Sequence, residues 1–305
     1  MSITPLAPTD AESRAGFIAA ILAYVMWGFM PLYLKLIAFA DMREVLGQRV
    51  LWCVPAAFAA VMAMHGVRSG LGEIARGFRP AMLGALAASA LCIFVNWSLY
   101  VWLVLHGRVI EASLAYFLAP LVSIAVGVIF FAEKITGVQA LALMLAGLGV
   151  IVQGVALGAP PWMALAICAS WSVYAVIRKR ANVPAAAGLL IESIVLIPVA
   201  LGLLVWTAAE APLAFSENFN HAFLLALAGP VTALPLILFA FGARRVSFTA
   251  LGLLQFLAPS LQLATGLAFG EAFTPLRAAS FALIWLGLGF FCWDALRRAR
   301  GYKQA

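Results

Sequence analysis

Residues Ile135–Ile177 read ITGVQALALMLAGLGVIVQGVALGAPPWMALAICASWSVYAVI, 43 positions without one charged side chain. One membrane-crossing helix needs about 20 apolar residues, so this run is too long for a single span. It carries its own break at Gly154, Gly158, Pro160 and Pro161, residues that stop a helix and turn the chain. The stretch therefore predicts two helices that cross a bilayer and return. Strands of a membrane barrel would alternate over about ten residues, and continuous runs of this kind exclude them.

Outward from that hairpin the same pattern repeats. Ala15–Leu34, Val50–Val67, Ala81–Leu105 and Ala112–Ala132 precede it, and Ser193–Ala209, Asn218–Ala243, Val246–Gly270 and Ala278–Trp293 follow. With the two halves of the long run this makes ten spans, which predicts an all-α integral membrane protein with ten transmembrane helices. Composition agrees: 65% of the 305 residues are hydrophobic and 10% charged, with mean hydropathy +1.06. Soluble domains carry about 45–50% apolar and 25% charged residues. A soluble enzyme, a disordered chain and a disulfide scaffold are excluded, and no length remains for a separate soluble domain.

Charge orients the spans. With the N-terminus inside, the inner segments hold Arg14, Arg68, Arg76, Arg79, Lys134, Arg178, Lys179, Arg180, Arg244, Arg245, Arg297, Arg298, Arg300 and Lys303, 14 of the 19 Lys and Arg. The outer segments hold Arg43, Arg108 and Arg277. That bias is the positive-inside pattern and predicts both termini in the cytoplasm. Met1–Ala15 holds Asp10, Glu12 and Arg14 and lacks the basic start of a cleaved leader, so the first span is expected to be retained. The net charge of +7 thus reflects basic inner loops, and no nucleic-acid partner is implied. Cys53, Cys92, Cys168 and Cys292 lie in apolar runs with no CxxC pair and read as small hydrophobes. No metal site and no cofactor is expected.

The second half echoes the first. Phe117-Leu-Ala-Pro120 recurs as Phe256-Leu-Ala-Pro259, Glu133-x-x-Thr136 as Glu271-x-x-Thr274, and Leu148-Gly149 as Leu286-Gly287. Trp27 and Lys35 match Trp171 and Lys179, and Pro55 matches Pro198, so the offset stays within 138–144. The two repeats run over residues 15–155 and 160–298. Five spans per repeat is an odd number, so the copies cross the bilayer in opposite senses, a 5+5 inverted repeat. Such repeats recur in secondary transporters, with the substrate near the midplane between them.

Several stretches resemble the EamA-type branch of the drug/metabolite transporter superfamily, and within it the RarD subfamily. They are Tyr24-x-x-Trp27-Gly28-x-x-Pro31-x-Tyr33-x-Lys35, Glu44-x-x-x-x-Arg49-Val-Leu-Trp52, Asn96-Trp97-x-x-x-x-Trp102 and Glu111-Ala-Ser113-Leu-x-Tyr116-Phe-x-x-Pro120-Leu. Arg178-Lys179, Leu251-Gly252-x-x-Gln255 and Trp293-Asp294-Ala295 complete the set, which runs from about Gly16 to Arg298. The resemblance implies a multi-pass protein of the bacterial inner membrane that exports amino acids, other metabolites or drugs.

Two charges stand out from the residues themselves. Arg49 and Glu192 sit in or beside apolar runs and are repeat equivalents at offset 143. A charge at the bilayer centre costs about 2.5–3.5 kcal/mol on the insertion scale, so such residues face a cavity or a partner. We expect the two to line the central cavity close enough to interact, binding the carboxylate and ammonium of a zwitterion. A structural ion pair, or snorkelling to the nearer interface, is the plainer alternative. Trp27, Asn96, Tyr100, Ser113, Tyr116, Trp171 and Gln255 complete the expected lining. The aromatic members could equally anchor at the lipid interface. Pro31, Pro120, Pro198, Pro235 and Pro259 break helices in mid-span and are candidate gate hinges or plain packing kinks. The Glu-x-x-Thr pairs read as caps of the spans that follow, with the Thr as cap.

The expected function is alternating-access export of small metabolites, with amino acids as the foremost cargo. There is no Walker motif, and one chain with its own cavity can work as a monomer. An exporter of drugs or amphipathic cations would use the aromatic rings and Glu192 without Arg49. An intramembrane enzyme would need a nucleophile with its base, or a metal set, and no such arrangement is suggested. A channel would want charge rings from several subunits.

Overall fold

Every described residue that is regular is helical. The structure, a computed structural model, describes residues 10–131, 135–181, 183–243, 245–246, 251 and 254–301. The chain enters as α1 (Asp10–Gly28) and α2 (Met30–Leu36), bent by 42° at Phe29. Pro31, at the start of α2, has no N–H to continue the α1 ladder. Helices α3 (Met42–Gly77), α4 (Pro80–Leu105), α5 (Val109–Phe131) and α6 (Gly137–Leu157) follow. Next come α7 (Trp162–Arg180), α8 (Ala185–Glu210), one 3-10 turn at Ala214–Ser216, α9 (Phe219–Ala226) and α10 (Ala228–Ala243). The described part closes with α11 (Leu257–Ala268) and α12 (Pro275–Gly301).

The break expected inside the 43-residue run is a left-handed cap at Gly158, followed by Pro161 ahead of α7. Each of the ten apolar runs falls on helix, except that part of Val246–Gly270 lies outside the described residues. Among the described residues, length and hydropathy alone mark six helices as able to cross a membrane, seven when the bent α1–α2 pair counts as one. By this measure the described residues support six or seven spans against the expected ten. Helix α5 is apolar over Val109–Val122, and α7 is a shorter apolar helix over Trp162–Arg178. The chain is an all-α, multi-pass membrane protein.

The most extensive packings join the first half of the chain to the second. Helix α3 lies along α8, α6 along α12, α4 along α7 and α1 along α10. Helix α3 also meets α10, α5 meets α7 and α11, and α1 meets α11. Exchanging each helix for its repeat counterpart maps these pairings onto one another: α4 with α7 becomes α10 with α1, and α5 with α7 becomes α11 with α1. The α6–α12 seam shows the exchange atom by atom. A Cβ at Gly149 would lie 3.0 Å from the carbonyl oxygen of Ser280, and one at Gly287 would lie 2.8 Å from that of Ala142. Ser280 stands 138 residues after Ala142, the offset that also relates Gly149 to Gly287. Small residues are what let helix backbones approach this closely in lipid, and the Ser280 hydroxyl adds a bond to the Gly149 carbonyl at 2.8 Å.

Candidate functional site

Arg49 enters the bundle seven residues after α3 begins. Its guanidinium lies over the Trp97 ring of α4, 4.4 Å from the centroid, and the side chain is 7% exposed. Tyr33, Tyr100 and Tyr116 stand near enough to feel its charge, and so does the Cys53 thiol one turn further along α3. Tyr100 and Tyr116 meet edge to face at 5.7 Å. Tyr33 donates its hydroxyl to the Leu224 carbonyl at 2.9 Å. Among the described residues neither the Arg49 Nε nor the Tyr100 hydroxyl has a hydrogen-bond partner. Among the described residues no carboxylate pairs with Arg49.

Magnitudes decide what that pocket is short of. Burying the charge costs about 2.5–3.5 kcal/mol even on the lenient scale. A desolvated cation–π contact returns about 2 kcal/mol or more. Trp97 therefore makes the charge tolerable without satisfying its directed N–H groups. An anionic group arriving in the pocket would satisfy them, in the planar two-pronged geometry that guanidinium and carboxylate share.

Glu192 does not supply that anion, so the expected Arg49–Glu192 pair is not formed. Glu192, 1% exposed in α8, accepts a hydrogen bond from Ser89 Oγ at 2.5 Å and another from the Tyr174 hydroxyl at 3.5 Å. Its ion partner is Arg178, with Nε 3.7 Å away. The reason is the antiparallel run of the two helices. Arg49 lies seven residues into α3 and Glu192 seven residues into α8, and these helices are antiparallel. Equivalent positions therefore sit at opposite depths. Gly47 faces Ala200 and Leu204 of α8, so Glu192 lies roughly 12 Å further along the bundle at 1.5 Å per residue.

The other expected lining residues divide. Tyr100 and Tyr116 join Arg49. Asn96, 1% exposed, donates Nδ2 to the Ile167 carbonyl at 3.0 Å and to Ser170 Oγ at 3.3 Å, fastening α4 to α7. Ser113 donates to the Ile110 carbonyl of its own helix at 2.7 Å. Trp27 packs in an aromatic group with Tyr24 and Phe239, and its carbonyl accepts from Gln262 Nε2 at 3.1 Å. Trp171 is 36% exposed and touches Tyr174. Gln255 is half-buried beside residues outside the description.

Of the prolines, Pro31 stands at the observed bend between α1 and α2. Pro120, Pro198 and Pro235 lie inside continuous helices, with Pro198 on the exposed side. Pro259 is in the first turn of α11. Trp97 also belongs here, and Tyr33, Cys53, Ser89, Tyr174 and Arg178 belong to these clusters although the sequence reading did not place them there. The spacing of Arg49 to Cys53, one helical turn, was the available signal for one of them.

The Glu271-x-x-Thr274 pair acts on two helices at once. Thr136 caps α6 in a capping box with Gln139, and Thr274 accepts from the Arg277 N–H. Glu133 lies outside the described residues. Glu271 goes elsewhere than the expected cap: its carboxylate accepts the N–H groups of Val109 and Ile110, at the head of α5. Glu44 does the same for Ala214 and Phe215 in the 3-10 turn.

Comparison with known proteins follows the same line. The EamA-like transporter family profile matches residues 14–154. A RarD protein of Streptomyces exfoliatus is 41% identical over 95% of this chain and 92% of its own. That of Escherichia coli K12 is 36% identical over 95% and 97%. An uncharacterised transporter of Bacillus subtilis, YojE, is 34% identical over 96% and 99%. One solved crystal structure, 18% identical, aligns over 91% of this chain and 96% of its own with a TM-score of 0.52, a likeness of fold alone. The chain belongs to the EamA-type transporters and, within them, to the RarD group.

Proposed function

We propose that this chain is a secondary exporter of small metabolites carrying a carboxylate, with amino acids as the foremost class, and that Arg49 receives the carboxylate. The observation that carries the reading is the buried guanidinium with no counter-ion, held in a ring of Trp97, Tyr100, Tyr116 and Tyr33. Glu192 is engaged by Arg178, so the ammonium end falls to the faces of Tyr100 and Tyr116 by cation–π attraction. The remaining lining is Trp27, Asn96, Ser113, Trp171 and Gln255, with the prolines as hinges.

The chain works by alternating access between two inverted five-helix repeats, residues 15–155 and 160–298, ten spans with both ends cytoplasmic in the bacterial inner membrane. The repeat offsets and the exchange of helix pairings support this arrangement. The transporter family assignment supports a transport role without chemistry on the substrate.

The aromatic group of Tyr24, Trp27 and Phe239 favours a second cargo, an uncharged or amphipathic drug. One relative, from Pseudomonas aeruginosa and 32% identical over 96% of this chain, is named a chloramphenicol-sensitive RarD protein.

The test is uptake by proteoliposomes of radiolabelled amino acids and of chloramphenicol, with and without a pH gradient. Arg49→Met should cut saturable amino-acid flux at least about tenfold. The same variant should melt higher than the parent, because it removes an uncompensated buried charge. Chloramphenicol flux that survives Arg49→Met, with no amino-acid flux in the parent, would move the assignment to the drug reading.

A further inference from the structure

Beyond Gly66 the long helix α3 turns sharply. Gly66 has φ 71 and ψ 165, a conformation open essentially to glycine alone. A Cβ at Gly70 would lie 3.0 Å from Cγ1 of Val61, nine residues earlier, where a straight helix would hold them about 13.5 Å apart. His65 Nδ1 and Glu73 Oε2 lie 3.2 Å apart across the turn.

The segment beyond the turn has three faces. Gly70, Glu73 and Gly77 are buried, with Gly77 against Ile191 and Ile74 packed near Ala186 and Ala187 at the head of α8. Val67, Leu71 and Phe78, at spacings of four and seven, form an apolar stripe 66%, 51% and 41% exposed. Arg68, Arg76 and Arg79 are exposed as well, and among the described residues Arg76 bonds the Gly72 carbonyl of its own helix. The segment's one acid, Glu73, is turned inward, so its outer charge is wholly positive.

We propose that residues 67–79 are an in-plane amphipathic element that docks on anionic phospholipid, the arginines taking the headgroups and Val67, Leu71 and Phe78 entering the acyl boundary. A helix lying in the interface has this division into apolar and basic faces. An arginine near an anionic surface contributes about a fivefold preference. The segment seats on the head of α8, seven residues from Glu192, so the lipid would bear directly on the Arg178–Glu192 cluster.

The experiment counts lipids retained by the purified full-length protein in neutral detergent. It compares dioleoyl-phosphatidylglycerol with dioleoyl-phosphatidylcholine by native mass spectrometry. The parent should hold the anionic lipid at least about fivefold more tightly. The combined variant R68Q, R76Q and R79Q should lose that preference with its melting temperature unchanged. The variant V67S with L71S should weaken retention several-fold while keeping all three arginines. A preference that persists in the triple glutamine variant overturns the proposal. So does equal competition by soluble glycerol phosphate, which would mark a free-anion site, or a dimer that the triple variant dissolves, which would mark a second copy as the occupant.

Discussion

Arg178 reaches Glu192 across the bare backbone of Gly188. A Cβ there would overlap the guanidinium, and the arginine, being the flexible partner, would be the one to leave. Gly188→Ala should therefore behave like Arg178→Gln, leaving Glu192 buried without its cation. Removing one partner of a buried pair costs about 3–5 kcal/mol. Thermal melts of the two single variants and their combination check this: the combined loss should be close to either single loss, not their sum. The sequence identified Arg49 and Glu192 because charges are conspicuous in apolar runs. It gave them the wrong partners because equivalence in an inverted repeat concerns position along a helix, whereas pairing concerns depth. Arg178 was legible only as a basic loop residue, since nothing in its spacing reveals that it folds inward over a glycine.

Helices here are tied to their neighbours at their heads by carboxylates from distant segments. Glu271 holds the first N–H groups of α5 and Glu44 holds those of the 3-10 turn, so two sets of orphan donors are satisfied across the bundle. Hydrogen bonds to a charged group are worth about 1.5–3 kcal/mol. Glu271→Gln should lower stability by roughly that amount, while Thr274→Ala, a local cap, should cost about 1 kcal/mol. Denaturation of both variants in detergent distinguishes them. At this scale the sequence was informative about interruptions. The Gly-Pro break at 154–161 and the end of the second run at Val67 fall where the chain turns. It was silent on Glu271's true partner, because a capping acid reads the same whether it serves the next helix or one 162 residues away.

Across the whole molecule, the long seams α3–α8, α6–α12, α4–α7 and α1–α10 all join one half to the other. The repeats are units of sequence but not of packing. Residues 1–157 expressed alone should be degraded or protease-labile. Co-expressed with residues 158–305, they should be protected and co-purify, and recovery of a stable first half by itself would contradict the interleaving. The recurring motifs are readable as offsets in the order of residues. The interleaving was not, because hydropathy shows that a helix faces lipid or protein but not whose helix it faces. The interleaving also bears on how the chain is made. Asn96 finds both its acceptors on α7, the nearer one 71 residues downstream. At 5–20 residues per second, that carboxamide waits about 4–14 s after synthesis for a partner. Arg49 finds Trp97 within the first half, 48 residues on, so it is the Asn96 carboxamide that the insertion machinery must shelter until the second half arrives.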